Sequence, residues 1–237
     1  MHALIDSDSA CYAVAFTSVG MSEAYARQGL NAMIEDTLLD LNTQDFTLFI
    51  TGEENFRYSI YPEYKANRKD QPKPEHLQIL KEHLRDAWGA YVSVGCEADD
   101  AIGVEHYARN CESIVVSIDK DLNQFVGEHW NPRKKERYII SPRDSMLFFY
   151  TQLLTGDITD NIKGVKCIGP KKAERILAQC ETEQEMFDAC RDAYGCDQEL
   201  AMNAKCLWLW RKENDIWQWP SWAEPMEVID EGVDDSS

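Results

Sequence analysis

Short apolar runs alternate with helical patterns along this chain, and acidic residues follow each run closely. The runs and their acids are residues 3–5 with Asp6 and Asp8, residues 46–50 with Glu53, and residues 113–118 with Asp119 and Asp121. Buried strands that alternate with helices predict an α/β fold with a parallel sheet. Because ligands of such sheets bind at the carboxyl ends of the strands, we expect these acids to meet there.

A further acid group, Glu97, Asp99 and Asp100, lies between a strand-like run and a helical pattern. The dipole of a helix N-terminus attracts negative charge, which would explain one such acid. Three carboxylates within four residues repel one another unless protons or a cation intervene. Asp157 and Asp160 form another close pair. Carboxylate oxygens are the hard ligands that Mg²⁺ or Mn²⁺ takes, so the acids together predict a divalent metal site.

The formal net charge of -18 argues against a nucleic-acid partner until its distribution is considered. More than half of the 24 Lys and Arg lie in three short segments: four in 65–73, four in 133–137 and five in 163–175. Clustered cations on an acidic chain favour local phosphate-binding patches. The alternative is that these segments are ordinary solvated loops and helix faces.

Aromatic and basic residues interleave over residues 58–70. Aromatic faces can stack on nucleobases while Lys and Arg hold phosphates, so this segment is a candidate nucleic-acid contact. An ordinary surface loop is the alternative. The candidate contacts are Tyr61, Tyr64, Lys65, Arg68 and Lys69. An amphipathic helix is predicted over residues 75–88, and its leucine stripe is expected in the core.

A glycine-rich connection between two predicted helices is the second candidate contact. Ser141 suits the N-cap of the first helix, and Pro170 fits the first position of the next. A glycine-rich turn at a helix start presents N–H groups to phosphate, and neighbouring lysines add charge. This pattern predicts a helix–hairpin–helix element, which grips the DNA backbone without reading bases. The candidate contacts are Lys163, Gly164, Val165, Ile168, Gly169, Lys171 and Lys172.

The sequence predicts a cytoplasmic protein. No run approaches the ~20 apolar residues of a membrane span, and the N-terminus lacks a signal peptide's charged start. The eight cysteines form no Cys-x-x-Cys pair, so a structural zinc site is not expected and reduced thiols are. Residues 223–237 hold six acids and no Lys or Arg, which predicts a disordered acidic tail.

Four motifs, taken in order, resemble the bacterial and bacteriophage 5′-3′ exonuclease, or flap endonuclease, family. They are Tyr61-Pro-Glu-Tyr-Lys-Ala-Asn-Arg68, Glu97-Ala-Asp-Asp100, Ser117-Ile-Asp-Lys-Asp121 and the stretch 156–173. The likeness runs from about residue 3 to residue 178. It implies a PIN-like α/β core with a mixed, mainly parallel sheet over residues 1–150, including a small helical arch at about 58–88. A helical DNA-binding region would follow over 151–222.

The resemblance also implies two bound ions, Mg²⁺ or Mn²⁺, with K⁺ as a candidate at the hairpin. Lys65 and Arg68 match the family's basic residues that face the scissile phosphate, and they are the candidate catalytic residues. Two positions depart from the family: Glu53 stands where Asp is usual, and Cys167 replaces the usual hairpin Gly. The implied ligands are Asp6, Glu53, Glu97 and Asp99 for the first ion, Asp119, Asp121, Asp157 and Asp160 for the second, and Asp100 near both.

The activity implied is hydrolysis of DNA phosphodiesters near a 5′ end by a two-metal mechanism. The expected substrate is duplex or flapped DNA, with an RNA primer in an RNA–DNA hybrid also open. The sequence does not determine whether a polymerase or a single-strand-binding protein docks on the chain, nor whether exonuclease or flap-endonuclease cleavage is preferred. Two other classes stay open: a PIN-type ribonuclease, and a DNA-binding scaffold without catalysis.

Overall fold

The main sheet has five parallel strands and one antiparallel edge strand, in a computed structural model that describes residues 1–69 and 71–223. The strand order is β3-β2-β1-β4-β5-β6. The strands are β1 (His2–Asp6), β2 (Phe46–Ile50), β3 (Tyr91–Val92), β4 (Ser113–Val116), β5 (Gly127–Asn131) and β6 (Glu136–Ile140). The hairpin of β5 and β6 is antiparallel and the other pairs are parallel. The predicted mixed, mainly parallel sheet is confirmed.

Helices fill the connections between the strands and the region after β6. The α-helices of the described chain are α1 (Asp8–Thr17), α2 (Glu23–Leu41), α3 (Arg57–Ile60), α4 (Leu77–Trp88), α5 (Ala98–Ala108), α6 (Pro142–Thr155), α7 (Pro170–Leu177), α8 (Glu183–Tyr194) and α9 (Asp197–Leu207). A short antiparallel ladder of β7 (Gly156–Asp157) and β8 (Ile162–Lys163) lies between α6 and α7. Helices between parallel strands are what an α/β connection requires.

Serine caps fix where two of these helices begin. Ser22 accepts a hydrogen bond from the Tyr25 N–H at 3.2 Å at the start of α2. At the start of α6, the Ser141 hydroxyl oxygen accepts from the Asp144 N–H at 3.1 Å, and the Asp144 carboxylate accepts from the Ser141 N–H at 3.4 Å. This reciprocal pair satisfies N–H groups that a helix start leaves without partners, so local sequence alone sets both boundaries.

Helices cover both faces of the sheet because successive strand residues point to opposite sides. Ala3 and Ile5 pack with α1, α2 and α4, whereas Leu4 packs with α5. The predicted leucine stripe of α4 is buried. A further cluster joins α6, α7, α8 and α9 with the tryptophan-rich residues that follow them. No helix in the described ranges has the length and apolarity that crossing a membrane requires.

Three predicted features are not confirmed by the fold. The predicted helix–hairpin–helix region contains the β7–β8 ladder and a loop between its two helices. Within the span predicted as an arch, α4 packs against the sheet, which leaves residues 58–76 for an arch. The predicted acidic tail lies outside the described residues except for Ala223. The domain boundaries at 150 and 222 stay predictions.

Candidate active site

The carboxyl ends of β1 and β4 bring Asp6 and Asp119 into one hydrogen-bonded network. Ile5 and Val116 are register partners in these neighbouring strands, so the residues after them emerge side by side. The Ser117 hydroxyl donates to the Asp6 carboxylate at 2.8 Å, and its oxygen accepts from the Asp119 N–H at 2.9 Å. The two strand ends are therefore joined at the sheet edge where the sequence predicts a site.

Asp99 faces this group of acids from the start of α5. Thr51, just after β2, accepts a hydrogen bond at 2.9 Å from the first backbone N–H of α5, which fixes the helix start beside the sheet edge. Burial raises the pKa of Asp99 well above its usual value, and the charges of Asp6 and Asp119 raise it further. No residue of the described chain makes a hydrogen bond or an ion pair with the Asp99 carboxylate.

Asp121 and Asp157 extend the acid group away from the strand ends. Burial raises the pKa of Asp121 to about 8, and the charges of Asp119 and Asp157 contribute. The Gln152 amide donates to the Asp121 carboxylate at 2.8 Å. Asp157 accepts a hydrogen bond from the backbone N–H of Asp160 at 3.2 Å, which holds the turn between β7 and β8. Acids from four separate segments thus share one electrostatic environment.

Two basic residues neutralise one side of this acid group. The Lys65 ammonium is ion-paired with Glu97 and lies 3.6 Å from the Asp160 carboxylate. The Arg68 guanidinium donates to Asp160 at 2.8 Å. Burial by itself would raise the pKa of Glu97, but the charges of Lys65 and Arg57 outweigh burial and lower it. The predicted catalytic pair therefore does lie beside the predicted ligands.

The backbone around Lys65 is fastened to the turn that carries the second acid pair. The Lys65 N–H donates to the Asp160 carbonyl at 2.9 Å, and the Arg68 guanidinium donates to the Thr159 carbonyl at 2.9 Å. Lys65 has a φ of 54°, in the left-handed region that non-glycine residues rarely adopt. Backbone strain of this kind persists only where surrounding contacts enforce it, and it recurs at functional sites.

Asp100 is the clearest correction among the predicted metal ligands. Its carboxylate is buried in a bidentate ion pair with Arg57, with N–O distances of 2.6 and 2.9 Å. It also accepts a hydrogen bond from the Glu97 N–H at 3.1 Å. Because both oxygens already have strong partners, we assign Asp100 a structural role and leave it out of the ligand set.

Tyr64 and Glu53 also differ from expectation. Tyr64 is only 1% exposed, so its ring is not available to stack on a nucleobase. Its hydroxyl lies 2.6 Å from Asp160 and 2.8 Å from Glu97, which makes it a link between two acids. Glu53 is exposed, and within the described residues no hydrogen bond or ion pair joins it to another predicted ligand. Its role as a ligand stays a prediction.

The glycine-rich connection is held tightly against the end of α6. A Cβ atom on Gly164 would lie 2.2 Å from the Thr155 carbonyl carbon, so this glycine allows a close backbone approach. The Val165 N–H donates to the Leu154 carbonyl at 2.8 Å and is not free for phosphate. This corrects the role predicted for Val165, whose backbone instead fastens the loop to α6.

Beyond this close approach, the connection divides into buried and exposed residues. Ile168 is buried in the cluster around α6 to α9, so its predicted DNA contact does not hold for the side chain. Cys167 is exposed and has a φ of 63°, a conformation that favours glycine, which agrees with glycine being usual there. Tyr61 is half-buried. The exposed candidate contacts are Lys69, Lys163, Gly169, Lys171 and Lys172.

The carboxylate cluster fits a hard divalent cation by its chemistry. Asp6, Asp99 and Asp121 all have raised pKa values, first because they are buried and then because neighbouring carboxylates, Asp119 in each case, repel their charged forms. A divalent cation relieves such repulsion. Within residues 1–69 and 71–223, no three Asp, Glu, His or Cys side chains are already arranged as a finished metal site.

Sequence reasoning missed three groups that organise this site. Arg57 and Gln152 belong to no motif signal of their own, and each is identified only by its buried acid partner. Asp8, whose role the sequence left unassigned, forms an ion pair with Lys81 at 2.5 Å and accepts from the Thr51 N–H at 2.9 Å. A lone Arg, Gln or Lys gives no local signal that its partner lies in another element.

The fold and the cluster together define a class: PIN-like α/β proteins whose parallel sheet has a carboxylate-lined edge. Within that class, the chain belongs to the family described as 5′-3′ exonuclease, N-terminal resolvase-like domain, whose model matches residues 2–146. A flap endonuclease Xni of Shewanella sp. (strain W3-18-1) is 31% identical over 153 residues, which is 58% of either chain. A 5′-3′ exonuclease of Buchnera aphidicola subsp. Schizaphis graminum is 32% identical over 159 residues, covering 60% of this chain and 54% of that one.

The chain spans less than two thirds of the length of these curated relatives. Its fold is similar to that of bacteriophage T5 5′-exonuclease with divalent zinc bound, with a TM-score of 0.68, 18% identity and coverage of 87% of this chain and 89% of that one. A T5 flap endonuclease complex with DNA and metal ions gives a TM-score of 0.67 at 17% identity, with the same coverage. The T5-exonuclease-like fold is thereby confirmed.

Proposed function

We propose that this protein is a divalent-metal-dependent 5′ nuclease that hydrolyses DNA phosphodiesters as a 5′-3′ exonuclease or flap endonuclease. The observation that carries the proposal is the convergence of acids from four segments beside Lys65 and Arg68. Family membership and the metal- and DNA-bound structural relatives support the same activity. Paired acids with adjacent cations suit a phosphate group better than a neutral substrate.

The acids divide into two candidate ligand groups for Mg²⁺ or Mn²⁺. The first group is Asp6, Glu97 and Asp99, and the second is Asp119, Asp121, Asp157 and Asp160. When bound, paired divalent ions supply an activated water and relieve charge on the leaving oxygen. The protein's own part is to hold these oxygens at one sheet edge, through Ser117 on Asp6 and Gln152 on Asp121.

Lys65 and Arg68 bind and orient the scissile phosphate in this proposal. Both side chains reach the acid cluster, and the Arg68 side chain is 42% exposed, so a phosphate entering from solvent can meet it. The Lys65 backbone and the Arg68 side chain are hydrogen-bonded to the turn after β7, so the two charges are placed before substrate arrives. Charges placed in advance stabilise the negative charge that develops on phosphate in the transition state.

Ile158 gives the substrate an apolar contact beside these charges. It lies between the two acids of the second pair and is 90% exposed. Its carbonyl accepts a hydrogen bond from the Asn67 side chain at 2.7 Å, so the turn that presents it is held in place. A fixed, exposed aliphatic side chain next to phosphate-binding groups suits the apolar face of a nucleobase or sugar.

The proposal is tested with a 5′-labelled DNA flap, a 5′-labelled duplex and a single-stranded RNA, each with and without Mg²⁺ or Mn²⁺. We expect metal-dependent cleavage of DNA near the 5′ end. Asp121→Asn should lower kcat about 100-fold or more while DNA binding is retained. Asp86→Asn, which changes an exposed acid paired with Arg85 on α4, should cleave at the wild-type rate.

The other classes predict different outcomes in the same experiment. Cleavage of RNA without cleavage of DNA would identify a PIN-type ribonuclease. Tight flap binding without cleavage in either metal would identify a scaffold. Wild-type activity in Asp121→Asn would contradict the metal site proposed here.

A further inference from the structure

A short segment near the C-terminus is connected through buried side chains to both halves of the acid cluster. Residues 206–210, which we call the C-terminal strap, run from the last turn of α9 into the tryptophan-rich region. They lie beyond the residues 2–146 that the family model matches. Five backbone groups of the strap are hydrogen-bonded to three buried side chains, those of Arg57, Asp100 and Gln124.

The first anchor ties the strap to the start of α5. Arg57 donates to the carbonyl of Cys206 at 2.7 Å and to that of Trp208 at 2.9 Å. Asp100, the ion-pair partner of Arg57, accepts from the Trp210 N–H at 3.2 Å. Asp100 also holds the N–H of Glu97, the first residue of the acid group on α5. The strap is therefore connected to Glu97 through Asp100, the residue next to Asp99.

The second anchor ties the strap to Asp121 through two buried glutamines. Gln124 donates to the Leu207 carbonyl at 2.8 Å and accepts from the Leu209 N–H at 3.2 Å. The Gln124 side chain also donates to the side-chain oxygen Oε1 of Gln152 at 3.1 Å, and the Gln152 side-chain Nε2 donates to Asp121 at 2.8 Å. Each amide both donates and accepts, which lets the chain of bonds run unbroken from backbone to carboxylate.

We propose that the C-terminal strap braces the two acid groups at a fixed separation and that Gln152 is the positioning residue for Asp121. The two groups carry like charge, so they repel each other and need a support that resists their separation. Arg57 with Asp100 holds one group, and Gln124 with Gln152 holds the other. The inference rests on the proposed nuclease function, because it assigns the brace to the ligands of that site.

The test compares Gln152→Met with wild type in the full chain. Methionine keeps the length of the side chain and removes the donor to Asp121. We expect kcat on the DNA flap to fall about 10- to 100-fold, and Mn²⁺ affinity measured by calorimetry to fall in the same range. KM for the flap should stay within about twofold, because no DNA contact is removed. Gln152→His, which keeps an N–H donor, should recover most of both losses.

Because the two glutamines are linked, the effects of replacing them should not add. Gln124→Met breaks the same chain of bonds one step earlier. The double variant should therefore lose about as much kcat and Mn²⁺ affinity as the single variant with the larger loss. His106→Leu is the matched control: His106 is equally buried, and its ring nitrogens bond Ser113 and the Val126 carbonyl, away from the acids. It should lower the unfolding midpoint while leaving Mn²⁺ affinity unchanged.

The outcomes separate this inference from the proposed function. If wild-type protein cleaves DNA and Gln152→Met binds Mn²⁺ and turns over like wild type, the brace is refuted and the nuclease stands. If Gln152→Met and His106→Leu lose Mn²⁺ affinity equally, the effect is general destabilisation and the positioning role is refuted. If wild-type protein binds no Mn²⁺, both proposals are refuted together.

Discussion

Replacing Arg57 with methionine should cost far more stability than removing any exposed arginine. Arg57 makes two hydrogen bonds to Asp100 and one each to the carbonyls of Cys206 and Trp208, all between 2.6 and 2.9 Å. Methionine fills most of the same volume, so cavity formation is a small part of the effect. What remains is a buried carboxylate without its cation and two carbonyls that have lost a donor.

The magnitude follows from these losses. Breaking a buried ion pair by removing one partner costs about 3–5 kcal/mol, and each carbonyl left without its donor adds about 1 kcal/mol or less. We therefore expect a loss of about 5 kcal/mol, a large share of the 5–15 kcal/mol typical of a whole domain. With an m-value of about 3 kcal/mol/M, the urea midpoint should fall by about 1.5 M.

Two comparisons decide whether the buried pair is the cause. Arg109→Met removes an exposed arginine paired with Glu105 on α5, and it should cost about 0.5 kcal/mol or less. The double variant Arg57→Met, Asp100→Leu replaces the pair with apolar groups and should be at least about 2 kcal/mol more stable than Arg57→Met alone. A loss below about 1 kcal/mol for Arg57→Met, or a double variant as unstable as the sum of the singles, would refute this reasoning.

Three more changes test other parts of the molecule. Ile158→Ser should raise KM for a DNA flap several-fold with kcat nearly unchanged, whereas Ile139→Ser, at a 71% exposed position on β6, should change neither. Burial lowers the pKa of His129 to about 4, so below about pH 6.5 the unfolded state takes up a proton that the folded state does not. The contribution of His129 to stability should therefore fall by about 2 kcal/mol between pH 7 and pH 5, and urea titrations of wild type and His129→Gln at the two pH values should differ by that amount. Cys167→Gly relieves a left-handed φ of 63° and should increase stability by up to about 1 kcal/mol, measured as a slightly higher thermal midpoint.

Local sequence patterns predicted the strands, the acids at the strand ends and the capped helix starts. The runs that became β1, β2 and β4 could be identified because a buried strand needs only a few consecutive apolar residues. Asp6, Asp119 and Asp121 could be placed near one another because adjacent parallel strands end at the same edge. The capped starts of α2 and α6 could also be predicted, since a cap acts within three residues.

Contacts between distant residues could not be predicted in this way. Tyr64 lies in a basic, aromatic segment typical of nucleic-acid contacts, yet its hydroxyl meets Asp160, 96 residues away. Asp100 and its neighbour Asp99 look alike in sequence, and only the position of Arg57, 43 residues from Asp100, separates their roles. Such assignments depend on which side chains the folded core brings together, and a single sequence does not show this.

The contrast between Asp99 and Asp100 is the strongest internal argument for a metal. Where a carboxylate in this region has a structural role, the chain supplies it with a bidentate arginine, as Arg57 does for Asp100. Asp99 is one residue away, has a raised pKa, and has no cation bonded to it within the described ranges. Lys65 forms its ion pairs with Glu97 and Asp160, and although its charge also lowers the pKa of Asp99, burial and the charges of Asp6 and Asp119 outweigh it. Crowded carboxylates are stabilised either by protons or by positive charge, and a divalent cation is the positive charge that carboxylate oxygens bind best, so we expect metal binding to depend directly on Asp99.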